Sequence, residues 1–154
     1  MGLAKTKPLF EPPTDIEDDL HAWCFEQAEL LRHKRFAEAD LPNLIEELES
    51  MGRSERRALR SAYRLLIAHL LKWQAQPQMR SRSWQVTIAR ERARIRDIEM
   101  DSPSLLAQAE LLIEEAYPLA CREAAVETGL DAAAFPAACP FDPAFLRDPQ
   151  AMPD

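Results

Sequence analysis

Arg53, Arg56, Arg57, Arg60 and Arg64 recur every three or four residues, the spacing that lines side chains along one flank of a helix. A row of guanidiniums can pair with carboxylates of its own molecule or hold an anionic partner, because the planar fork fits carboxylate and phosphate alike. Arg80, Arg82 and Trp84 fall where a further helix must begin, and backbone N–H groups at a helix start favour anions. An indole beside two guanidiniums is suited to stacking on a base or backing a phosphate. Arg53, Arg57, Arg60, Arg80, Arg82 and Trp84 are therefore the candidate binding residues.

Acid–base chemistry has one weaker candidate. His69 lies between Ala68 and Leu70 on the same stretch, and Glu46 or Glu47 would have to meet it across a bundle for a general base to result. The competing reading is a half-buried histidine bonded to a neighbouring helix. No Glu-x-x-His, His-Glu-x-x-His or Cys/His zinc spacing occurs, so neither metal nor cofactor is expected. Cys24, Cys121 and Cys139 are odd in number, far apart and without a C-x-x-C, as in a reduced cytoplasmic protein. Cys139, before Pro140, is the thiol expected nearest a surface.

Charge is sorted along the chain. Residues 1–52 carry five Lys/Arg against twelve Asp/Glu (−7), 53–96 twelve against two (+10), and 97–154 two against twelve (−10). Either basic helices lie against acidic ones or a basic face is kept for an anionic partner. Apolar content of 47% predicts a packed core, and three glycines argue against a strand-and-turn fold or a glycine-rich phosphate loop. There is no apolar run long enough for a signal peptide or membrane span. Gly2 and Thr6 formally match an N-myristoylation pattern too short to carry weight.

The elements that position these residues follow from caps and apolar spacing. Residues 1–14, with Pro8, Pro12 and Pro13, read as an extended arm pinned by Leu9 and Phe10, and 15–154 as a single helical domain. A first helix is expected from near Asp15, with the stripe Ile16, Leu20, Trp23, Cys24, Gln27, Leu31. Asp40 offers an N-cap, with Pro42 in the first turn. From there one long helix, straight or kinked, is favoured over about 41–76, against a stop at Gly52 with Ser54 capping a new helix. Leu41, Leu44, Ile45 and Leu48 form its early stripe; Leu59, Tyr63, Leu66, Ile67, Leu70 and Trp73 form its later one, in phase across Gly52. A third helix is expected over about 83–100 and a last large one from Ser102-Pro103 to Thr128, closed by Gly129, with Pro118 bending or splitting it. Phe135, Phe141 and Phe145, punctuated by prolines, read as a brace over one end of the bundle. The fold class is all-α, an antiparallel helical bundle of four or five main helices with that brace.

Several segments carry a family resemblance. Leu44 to Arg57 (LIEELESMGRSERR), His69 to Gln74 (HLLKWQ), Arg80 to Trp84 (RSRSW), Asp101 to Leu105 (DSPSL), Phe135-Pro136 and Cys139-Pro140 together resemble the bacterial family catalogued as domain of unknown function 29. The resemblance spans about Asp15 to Phe145, leaving only the arm outside it. It implies an all-helical bacterial protein and brings no assigned activity or residue role. The functional expectation is a non-catalytic protein-interaction or adaptor module using the Arg53–Arg96 surface, partner and oligomeric state unread. The alternatives are nucleic-acid binding through the same arginines with Trp84 stacking, and an acid–base enzyme centred on His69.

Overall fold

Asp19, not Asp15, starts the first helix. Its carboxylate accepts from the Ala22 N–H at 2.9 Å, and α1 runs Leu20–Arg32. The helix buries Trp23, Gln27 and Leu30, while Leu20, Cys24 and Leu31, expected on the buried stripe, face water. Lys34 turns the chain in the left-handed region (φ 56°), a conformation that glycine adopts more readily. Its neighbour Arg35 then donates its N–H to the Leu30 carbonyl at 2.8 Å.

Asp40 ties the start of the second helix to α1. Its oxygens accept from the Asn43 N–H (3.4 Å), the Asn43 amide (2.7 Å) and the Trp23 indole (3.3 Å), and its own N–H donates to Gln27 (2.8 Å). The Asn43 side chain, foremost among these donors, holds the Asp40 carboxyl below its usual pKa. α2 then runs unbroken over Leu41–Ala75, through Gly52. The structure describes residues 6–154 of the chain as a computed structural model, with no strand among them. The myristoylation reading at Gly2 and the first part of the arm lie outside the described residues. The rest of the arm is held by polar contacts: Glu38 accepts from the Leu9 N–H (3.0 Å), and Glu26 from the Thr14 N–H and hydroxyl (2.9 and 2.6 Å).

Two compact units are resolved, Met1–Gly52 and Arg53–Asp154, and α2 contributes to both. The second unit contains the rest of α2, α3 (Arg82–Asp101), α4 (Pro103–Leu106), α5 (Ala109–Thr128) and α6 (Pro143–Arg147). Ser81 caps α3, Pro103 opens α4, Gly129 closes α5 with φ 73°, and Asp142 caps α6. The last large helix does not begin at Pro103: Ala107 and Gln108 separate α4 from α5. Pro118 neither splits nor ends α5, because it sits on the exposed side, where water can satisfy the carbonyl that its missing N–H leaves open.

Tyr63 meets Glu99 and Lys72 meets Trp84, so α2 and α3 run antiparallel. Arg56 meets Glu115, Arg64 meets Glu123 and Lys72 meets Glu127, so α5 returns parallel to α2. Successive long helices of this unit thus alternate in direction. Between them lie Leu59, Tyr63, Leu66, Ile67 and Leu70 of α2, Ile88 and Ile95 of α3, and Leu112, Ala116, Ala120 and Ala124 of α5. Phe135, Phe141 and Leu146 close one side of this core, with Phe141 stacked on Phe145 at 5.2 Å between ring centroids. The fold is all-α, with the C-terminal brace in place.

Candidate functional site

The basic flank of α2 lies along α5, the helix that supplies much of the acid-rich C-terminal block. Arg56 forms a two-point bond with Glu115 (3.1 and 2.7 Å), and Arg60 approaches the same carboxylate at 3.6 Å. Arg64 stands 3.6 Å from Glu123, and the buried Lys72 ammonium pairs with Glu127. The Arg56 bond is the main cause of the lowered pKa of the Glu115 carboxyl. The opposite blocks of the sequence are thus partly neutralised against each other inside the molecule. Arg57 and Arg82 are exposed and have no ion-pair partner among the described residues; Arg53 is also exposed. Arg57, Arg60, Ser61, Arg64 and Leu119 line a depression of about 250 Å³ between the two helices.

Arg80 and Trp84, read from the sequence as a joint site for a base or phosphate, each have a partner elsewhere in the chain. The Arg80 guanidinium lies 5.0 Å from the Trp73 ring centroid, and its Nε donates to the Trp73 carbonyl at 2.9 Å. The Trp84 ring is covered by Lys72, whose Nζ is 4.7 Å from the centroid. Both indoles are thus engaged by cations of their own chain.

His69 likewise departs from its expected company. Nδ1 lies 2.9 Å from the Leu65 carbonyl, an arrangement in which Nδ1–H donates, and the carboxylates acting on the ring are Glu127 and Glu123. Glu46 and Glu47 sit about six turns earlier on the same continuous α2, which takes them out of its reach. The cluster of His69 with Glu46 and Glu47 is therefore not formed. Burial lowers the His69 pKa from 6.5, followed by smaller effects from the Leu65 carbonyl, Lys72, Glu127 and Glu123. The unfolded chain then takes up a proton that the folded chain refuses. Stability should fall as pH drops through about 6.5 and level off below the folded pKa, by at most about 1.4 kcal/mol per pH unit. Urea titrations of wild type and His69→Gln across this window should show the slope in the first and its loss in the second. The depressed carboxyls of Glu115 and Asp40 act lower, on the acid side of about pH 4.

Cys139 is half-buried and donates its thiol to the Phe141 carbonyl (3.4 Å), and burial raises its pKa, the opposite of what a nucleophile needs. The exposed thiol is Cys24. Among the described residues no group of three or more His, Cys, Asp or Glu side chains is placed to hold a metal ion.

Two buried polar groups and one apolar row differ from what the sequence led one to expect. Glu99, buried on α3, accepts the Tyr63 hydroxyl and two bonds from Arg147 (2.8 and 3.2 Å). Arg92, buried one helical face away from the exposed arginines, donates to the Leu146 and Phe145 carbonyls at 3.0 and 3.2 Å. Ile88, Arg92, Ile95 and Glu99 share one helical spacing, and that spacing was the available clue. The third feature is the early stripe of α2. Leu41, Ile45, Leu48 and Met51, in line on one face, are 47%, 57%, 66% and 65% exposed. Leu41, Ile45 and Leu48 were expected in the core, and they face solvent instead, with Met51 extending the row.

A family model described as "Domain of unknown function DUF29" matches residues 16–150. The chain belongs to that family. No curated protein and no solved structure matches it. The matched span begins just before α1 and ends just beyond α6, so the DUF29 region includes the α2 stripe, the α2–α5 ion pairs and the Glu99 network alike. No helix of this DUF29 chain, among the described residues, is long and apolar enough to cross a membrane.

Proposed function

We propose that this DUF29 chain is a non-catalytic protein-interaction module whose docking surface is the open stripe of α2. The observation that carries this reading is the exposure of Leu41, Ile45, Leu48 and Met51 along one helix face. Burying one aliphatic side chain of this size is worth about 1.5–3 kcal/mol. A contiguous apolar row left in water is the usual mark of a partner site. Of the arginines first favoured for this role, Arg60 leans toward Glu115 of α5 and Arg80 lies on Trp73, whereas the stripe has no cover of its own, which moves the docking surface to the stripe.

Charge selects the partner. Glu47 flanks the stripe, and the acids of residues 1–52 outnumber the bases by seven. A second copy packed on the same row would set these acids against each other, whereas an amphipathic helix with Leu or Ile on one face and Lys or Arg beside it satisfies both requirements. On this reading the module works in a bacterial cytoplasm, where Cys24, Cys121 and Cys139 remain thiols.

Fluorescence anisotropy with a synthetic Leu/Lys amphipathic helix provides the test, with a Leu/Glu helix of the same pattern as control. The Leu/Lys peptide should bind and the control should not. Leu48→Glu should weaken binding at least tenfold while leaving the melting temperature within about 2 °C, because Leu48 is already exposed. Equal binding by wild type and Leu48→Glu would remove the stripe from consideration.

A further inference from the structure

Arg57, Arg60, Ser61 and Arg64 fall at i, i+3, i+4 and i+7 on α2, so all four present to one side. They line the depression of about 250 Å³ opposite Leu119 of α5. A tetrahedral anion with a small organic group fits within it.

The charges around it do not balance. Arg56, Arg57, Arg60 and Arg64 contribute +4, and the facing Glu115 and Glu123 contribute −2, leaving +2. Glu115 is engaged by Arg56 at 2.7 Å, which leaves Arg60 at 3.6 Å, beyond hydrogen-bond reach of it. The Arg64 Nε, closed off from water, faces Glu123 at 3.6 Å, also beyond hydrogen-bond reach. Arg57 is exposed and without an ion-pair partner among the described residues. Three guanidiniums, two of them only loosely paired, and a serine side chain therefore line one small space.

We infer that the cradle formed by Arg57, Arg60, Ser61 and Arg64 binds a phosphate dianion carried as a monoester, with the organic group resting on Leu119. The forked donors match phosphate oxygens, and a dianion restores neutrality where two carboxylates fall short. A polyanion is disfavoured because the adjoining α5 surface and the chain as a whole are acidic. The site is separate from the α2 stripe and does not depend on it.

Isothermal titration at fixed ionic strength with phenyl phosphate, inorganic phosphate and sodium chloride tests this. Phenyl phosphate should bind more tightly than inorganic phosphate, and chloride should give no signal. Arg57→Gln and Ser61→Asp should each weaken both phosphates at least tenfold. Arg57 holds up no other described group, so its variant should fold normally. Leu119→Ala should erase the preference for the phenyl ester while keeping phosphate binding. Equal affinity for the two phosphates would overturn the ester assignment. Binding unchanged in Arg57→Gln and Ser61→Asp, or binding of a short single-stranded DNA with no response to either phosphate, would overturn the site.

Discussion

Glu99→Ala should cost about 3 kcal/mol of folding stability, measured by urea unfolding near neutral pH. Glu99 is 5% exposed, and Tyr63, whose hydroxyl it accepts, is wholly buried. Truncation leaves that hydroxyl without its acceptor and strips Arg147 of a carboxylate bonded at 2.8 and 3.2 Å. The guanidinium can turn toward water, since the Arg147 side chain is 34% exposed, which holds the loss to the lower end for a broken buried pair. A double-mutant cycle separates pairing from packing. Arg147→Ala on top of Glu99→Ala should cost much less than Arg147→Ala alone, because the partner is already gone. Burial, with Glu99 second, keeps the Tyr63 pKa well above that of a free phenol, so the hydroxyl stays a donor throughout the physiological range. A Glu99→Ala variant within about 0.5 kcal/mol of wild type, the usual range of neutral surface changes, would show that the network contributes nothing.

The same network marks where a single sequence stops being informative. Leu59, Tyr63, Leu66 and Leu70 were legible because a helix against a core must repeat its apolar residues every three to four positions, and these are all buried. Asp40, Pro103 and Gly129 were legible as helix ends because each supplies a local hydrogen bond or backbone angle that few residue types can supply. Lys34 was not, because it takes the left-handed turn without being a glycine.

Periodicity also identifies a face without saying what covers it. Leu41, Ile45 and Leu48 keep the same phase as Leu59, yet only Leu59 is buried. For the arginines, spacing gave the correct flank of α2 but not its neighbour. That required knowing that α5 runs parallel to α2, bringing Glu115, Glu123 and Glu127 into step with Arg56, Arg64 and Lys72. In the run Arg90, Arg92, Arg94, Arg96 composition is silent on which member turns inward, and only the shared spacing with Ile88 and Ile95 marks Arg92.

Arg92→Ala should then be as damaging as the loss of Glu99, by a different route. Arg92 is 4% exposed and donates to two carbonyls of α6, those of Phe145 and Leu146. The last carbonyls of any helix lack partners within it, and a helix of five residues has little else to offer them. Arg92 therefore acts as a C-terminal cap supplied by another helix, its positive charge also suiting the end of the helix dipole. Without it, two carbonyls near the core lose their donor, at about 1–3 kcal/mol each. α6 should come away first, taking the buried Leu146 and, with it, the Arg147 that serves Glu99. Hydrogen exchange should show faster opening of residues 141–153 in Arg92→Ala while the buried stretch of α2 keeps its protection. Arg92→Met separates the two contributions, since it refills most of the volume and restores neither hydrogen bond. A methionine variant as protected as wild type would mean that packing alone holds the brace. Arg92→Lys, with one compact donor in place of a fork, should fall between wild type and alanine.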